Sequence, residues 1–108
     1  MKPTYSLSEI KNLIKKDYFR VSETALKNAG QDFGISRSDI ALEILALVED
    51  NFYKSMPAEK APGLFQDVYI KNVKGIIAYI KIQIMISLLL FLLKKSRRRS
   101  LWQKIKNG

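Results

Sequence analysis

The stretch Asn51 to Gln83, NFYKSMPAEKAPGLFQDVYIKNVKGIIAYIKIQ, decides how the rest of the chain is read. Three of its segments, Phe52 to Met56, Leu64 to Ile70 and Val73 to Ile84, are rich in aromatic and β-branched residues and suit strands. Pro57, Pro62 and Gly63 mark a loop between the first two, and Lys71-Asn72 is expected to turn the chain between the last two. Within Ile76 to Ile84 the pattern partly alternates, with Ile80, Ile82 and Ile84 on one face and Tyr79, Lys81 and Gln83 on the other. Each segment carries one reactive or hydrogen-bonding side chain among its apolar residues: Lys54, Gln66 and Tyr79. As adjacent strands, the three segments can bring those side chains to one face, a surface suited to gripping a phosphodiester.

Upstream, the period changes to that of helices. Ser6 and Glu9 form a capping-box pattern before Leu7, Ile10, Leu13 and Ile14, which predicts a helix ending near Tyr18 with Lys11, Lys15 and Lys16 on its solvated side. Phe19 to Val21 fits a short strand. Ser22 then caps a second short helix through Ala25, Leu26 and Ala29, expected to close at Gly30. Phe33 and Ile35, around Gly34, are expected to enter the core. Ser36 and Asp39 open the clearest helix, to about Glu49, with Ile40, Ile44, Leu47 and Val48 buried and Leu42 and Leu45 widening the stripe. Helices first and a sheet afterwards make an α+β fold, N-terminal helices packed on a small antiparallel sheet.

Downstream, Ile84 to Leu93 holds nine apolar residues in ten, broken by Ser87, with none of the Asn, Asp or Gly that a tight hairpin favours. Counted back to Ile76 the run approaches the length of a membrane helix, and the basic residues after it would suit a membrane flank. Lys81 and Gln83 inside the run make spanning costly. Residues 1–94 are read as one domain and residues 95–108 as a flexible basic tail.

Composition narrows the chemistry. The chain has 108 residues, a net charge of +9, no His and no Cys. Disulfides, thiolate catalysis, Cys-ligated zinc and every hydrolase design that uses an imidazole are thereby excluded, and no spacing suggests a metal site. Residues 1–93 hold 12 of the 19 basic residues and all 10 acidic ones, so the excess charge is concentrated from Lys94 onwards. Such an excess favours a polyanionic partner. No signal peptide is visible after Met1-Lys2, so the cytoplasm is the expected location.

Three motifs, Phe52-Tyr53-Lys54-Ser55-Met56, Phe65-Gln66-Asp67-Val68-Tyr69 and Ala78-Tyr79-Ile80-Lys81-Ile82, resemble in sequence and spacing the MqsR family of toxins from bacterial toxin-antitoxin modules. The resemblance runs from about Tyr5 to Ile84 and includes both N-terminal helices; after Ile84 the family's polar turn and alternating strand give way to IMISLLLFLLKKSRRRSLWQKIKNG. It implies a RelE-like microbial RNase fold and a messenger-RNA endoribonuclease, with a preference for GC-containing triplets such as GCU. The family's catalytic residues map onto Lys54, Gln66 and Tyr79, and a fourth falls at Lys94 by spacing. Lys81, Lys95, Arg97 and Arg98 are candidates for RNA contact. The implied partners are messenger RNA and an antitoxin of the MqsA kind, carrying zinc and a helix-turn-helix; DNA would be reached only through that antitoxin.

Cleavage without metal needs a base at the 2′-hydroxyl, a proton donor at the leaving 5′-oxygen and positive charge for the developing phosphorane. Free lysine and tyrosine titrate near ~10.4 and ~10, so either is an inefficient base near neutrality unless its surroundings lower the value. A lysine acting only as a charge clamp requires no such shift. Lys54 is read as phosphate clamp and candidate base, Tyr79 as proton donor or hydrogen-bonding partner of the phosphate, and Gln66 as the residue that orients substrate. The alternative is a catalytically impaired RNA- or partner-binding module whose basic tail attracts nucleic acid or an acidic membrane. Taken singly, Lys54 is also what an edge strand uses to discourage pairing, and Tyr79 and Gln66 fit ordinary half-buried sheet positions.

Overall fold

The computed structural model describes the backbone of residues 1–85 and 88–95 and the side chains of residues 1–84. Helix α1 (Leu7–Lys15) starts where the Ser6 hydroxyl accepts from the Glu9 amide, and it buries Ile10 and Ile14. It stops three residues before the expected end. Asp17, at φ 60°, turns the chain out of the helix, with the amides of Asp17 and Tyr18 donating back to the carbonyls of Ile14 and Leu13. Strand β1 (Phe19–Val21) follows, then helix α2 (Glu23–Asn28), whose Ser22 hydroxyl accepts from the Ala25 amide.

Closure of the second helix at Gly30 is not observed. The coil widens into a π-helical turn, Ala29–Phe33, and ends at Gly34, whose φ of 66° suits a residue without Cβ. The Ile35 amide donates to the Ala29 carbonyl, which carries Phe33 and Ile35 into the core as expected. Helix α3 (Arg37–Leu45) has the Ser36–Asp39 capping box in both directions. It too ends early. Lys11 Nζ donates to the Leu47 carbonyl at 2.7 Å, so this lysine is tied to the segment just after α3 rather than merely solvated. Ile40, Ile44 and Leu47 are buried, but Leu42 is 64% and Val48 57% exposed, against the expectation that both join the apolar stripe. Leaving the helix after Leu45 turns Val48 outward, and Asn51 then accepts from the Val48 amide at 2.9 Å and donates to the Ile70 carbonyl at 3.1 Å.

The remaining strands are β2 (Phe52–Pro57), β3 (Phe65–Val73), β4 (Ile76–Met85) and β5 (Leu88–Lys95). The β3–β4 turn is Lys74-Gly75, not Lys71-Asn72. Both turn residues have positive φ, 53° and 84°, the geometry that matches strand twist in a two-residue hairpin, and Asn72 Oδ1 accepts from the Gly75 amide at 2.8 Å. The sheet order is β1-β5-β4-β3-β2. β2 through β5 pair antiparallel, and β1 joins β5 in parallel, so the sheet is larger than a small antiparallel one by a parallel edge strand.

The apolar run after Ile84 is therefore an interior strand, held by β4 on one side and β1 on the other. Its lack of alternation fits a central position, where near-continuous apolar runs occur. Among the described residues no helix is long and apolar enough to cross a membrane. The helices pack on one face of the sheet, in a core that includes Ile10, Ile44, Leu47, Tyr69, Ile80 and Ile82. The fold class is α+β, as the pattern of helices followed by strands predicts.

Candidate nucleic-acid interface

Register decides which side chains share a face. In the β3–β4 ladder Val68 opposes Lys81 and Ile70 opposes Tyr79; across β2–β3, Lys54 opposes Val68 and Met56 opposes Gln66. Opposed residues project to the same side. Lys54, Gln66 and Tyr79 accordingly lie on one face, the side away from the helices, together with Lys81 and Gln83. Tyr69, Ile80 and Ile82 project to the helix side and join the core there.

A bulge adds a residue to this face. The β2–β3 register shifts between Phe52 and Lys54, so the pairing steps from Phe52↔Tyr69 directly to Lys54↔Val68. The irregularity breaks alternation: Phe52 stays on the helix side, edge-on to Tyr69 at 5.6 Å, while Tyr53 turns to the outer face and stacks on Tyr79 at 5.9 Å, with the rings 22° apart. Lys54 Nζ lies 5.4 Å from the centre of the Tyr53 ring. A cation, a stacked phenol pair and an adjoining lysine row thus form a continuous patch.

The three residues form a stripe rather than a point. Lys54 occupies the row of Val68 and Lys81; Tyr79 lies two residues along in one direction and Gln66 two in the other. At about 3.4 Å per residue the ends of the stripe are roughly 14 Å apart along the strands, more than one phosphate spans. Nor is Gln66 open to solvent. It is 8% exposed, and its Nε2 donates to Oε1 of Gln83, itself 3% exposed, at 3.1 Å.

Charge on this face is one-sided. Asp67 is the one carboxylate in the sequence of β2 through β5, and it projects to the helix side, fully buried, where it accepts from the backbone amides of Thr4 at 2.9 Å and Tyr5 at 2.8 Å. The Tyr5 hydroxyl donates to the Phe65 carbonyl at 2.6 Å, so the N-terminal segment is pinned across the start of β3. No carboxylate in the sequence of these strands projects to the outer face.

The C-terminal candidates divide at the limit of the described residues. The β4–β5 register sets Lys94 opposite Tyr79 and Lys95 opposite Ala78. Arg97 and Arg98 lie outside the described residues. Among those described, no three acidic side chains gather in a way that could hold a metal ion.

Sequence reading missed two participants. Gln83 was legible as a member of the polar parity of β4, but its bond to Gln66 follows only from strand pairing. Tyr53 carried no usable signal, since strict alternation assigns it to the face opposite Lys54.

The family model described as motility quorum-sensing regulator, toxin of MqsA, matches residues 2–95 of the chain. Among curated proteins, the chain is 30% identical over 93 residues to the mRNA interferase toxin MqsR of Escherichia coli (strain K12), covering 86% of this chain and 94% of that protein.

Proposed function

The chain belongs to the MqsR toxin family, and we propose that it is an endoribonuclease toxin that cleaves messenger RNA on the outer face of its sheet. The observation that carries this reading is the register: Lys54, Tyr79 and Lys81 share a face with no strand carboxylate on it, and Lys94 is set opposite Tyr79. Single-stranded RNA suits such a face, because stacked aromatics accept bases and lysines neutralise phosphates.

In the proposed reaction the 2′-oxygen attacks the adjacent phosphorus and the P–O5′ bond breaks, leaving a 2′,3′-cyclic phosphate and a free 5′-hydroxyl. The proton of the 2′-hydroxyl passes to a base, and a second proton is delivered to the departing 5′-oxygen. Lys54 is assigned to the phosphorane charge and is the candidate base; Tyr79 donates to the phosphate or the leaving oxygen; Gln66 orients the ribose. Lys94 and Lys81 hold the flanking backbone, with Arg97 and Arg98 extending the contact; Lys95, in register with the core residue Ala78, has the opposite strand parity and takes no part on this face. None of these roles draws on a metal. Inhibition by a cognate antitoxin, of the zinc-bearing and DNA-binding MqsA kind, belongs to the same proposal.

The test is cleavage of a defined messenger with mapping of new 5′ ends. Lys54→Ala should slow cleavage by about 100-fold or more while leaving the fold intact, because Lys54 is exposed on an edge strand. Tyr79→Phe should slow it as well. Wild-type rates in both variants would overturn the site, and RNA that is retained but never cut would favour the binding module.

A further inference from the structure

We infer that Gln83 is a positioning residue for the Gln66 carboxamide, and that through this bond β4 fixes how β3 presents Gln66 to RNA; the inference rests on the endoribonuclease reading above. Gln66, Asp67 and Gln83 are the buried polar or charged residues among those described. Asp67 serves the helix side by tying down the N-terminal segment. The two glutamines are on the outer face, in the row next to Lys54 and Lys81, beside the buried side chain of Val68.

A carboxamide carries donors on nitrogen and an acceptor on oxygen, and rotation by half a turn about its last torsion exchanges them at little cost. The bond from Gln66 Nε2 to Gln83 Oε1 removes that freedom. With the N–H committed to Gln83, the Gln66 carbonyl oxygen lies on the other side of Cδ, oriented to accept from a donor such as a ribose hydroxyl once RNA reaches this mostly buried residue. Without Gln83 the amide samples both orientations, and the acceptor is in place only part of the time. The competing role is purely structural: a polar pair that pins the β3–β4 register.

Three variants of the full chain distinguish these: Gln83→Met, which keeps length but removes the acceptor, Gln66→Met, and the double variant. Each is assayed for kcat and KM on a defined single-stranded RNA and examined by side-chain amide NMR. Gln83→Met should lower kcat roughly 10-fold with KM nearly unchanged, and the double variant should be no slower than Gln66→Met. The separation between the two Gln66 amide proton shifts, present in any primary amide and widened when one proton is bonded, should narrow towards the free value in Gln83→Met. A register pin alone predicts lower stability with wild-type kcat in the folded protein, or losses that multiply in the double variant; either overturns the inference. Should Gln83→Met fail to fold, Gln83→Thr, a good strand former too short to reach Gln66, takes its place with the same outcomes. If the wild type cuts no RNA, the endoribonuclease reading fails separately, and unshifted Gln66 resonances in Gln83→Met would still refute the pairing.

Discussion

The two faces of the sheet use polar side chains in opposite ways. On the helix side a single buried carboxylate, Asp67, is spent on backbone amides of the N-terminal segment, and the rest is apolar packing around Tyr69, Ile80 and Ile82. On the outer side lie Lys54, Tyr79, Lys81 and the Gln66–Gln83 pair, with no strand carboxylate among them. Most of the core packing and the proposed chemistry therefore lie on opposite sides of one layer of backbone, with Val68 and Ile70 among the buried apolar residues of the outer face. A substitution at a helix-side core residue or at an exposed outer lysine should report on one property.

Ile44→Ala tests that separation most severely. It empties a fully buried position in α3 and should cost about 3–4 kcal/mol, read as a lower denaturant midpoint, while RNA affinity of the folded fraction holds. Affinity lost in step with stability would break the division.

Tyr69 gives the next largest effect, and only at high pH. It is 1% exposed, and burial, with Asp67 and Glu49 adding negative charge, pushes its pKa up to about 12. A folded-state value above the unfolded one leaves stability complete below pH ~10 and removes it as pH rises towards ~12, by about 2 kcal/mol at the upper end. Tyr69→Phe should remove this part of the alkaline loss in pH-dependent unfolding. Near neutrality it should match or exceed wild-type stability, because the Tyr69 hydroxyl has no hydrogen-bond partner among the described residues.

On the outer face, Lys81→Ala should leave the midpoint within about 0.5 kcal/mol and flatten the dependence of log affinity on log salt by about 0.7 for single-stranded RNA. An unchanged salt slope would remove Lys81 from the RNA path. The smallest effect belongs away from both faces. Asp17→Gly relieves a left-handed backbone at φ 60° but forfeits an exposed ion pair with Arg37 at 3.4 Å, for a net gain of about 0.5 kcal/mol in thermal unfolding.

How far the sequence could be read differs from element to element. The caps at Ser6, Ser22 and Ser36 were legible because a hydroxyl reaching an amide three residues on is a local event. The helix ends were not: α2 passes into a π turn that no capping residue announces, and α3 stops before Leu47, whose carbonyl accepts from Lys11 of α1. The shared parity of Tyr79, Lys81 and Gln83 was legible from alternation. Their alignment with Lys54 and Gln66 required the observed pairing of three strands.

By itself the sequence determined the α+β order, the strand segments before Ile84 and the residues with chemistry to offer, because periodicity, caps and residue type act over a few positions along the chain. The tertiary structure decided the rest: that the apolar run from Leu88 is an interior strand setting Lys94 opposite Tyr79, that a bulge swings Tyr53 onto Tyr79, and that Gln66 is held by Gln83. Those outcomes depend on which strands lie side by side and in what register, and hydrogen bonding between distant segments is not written in the spacing of either one alone.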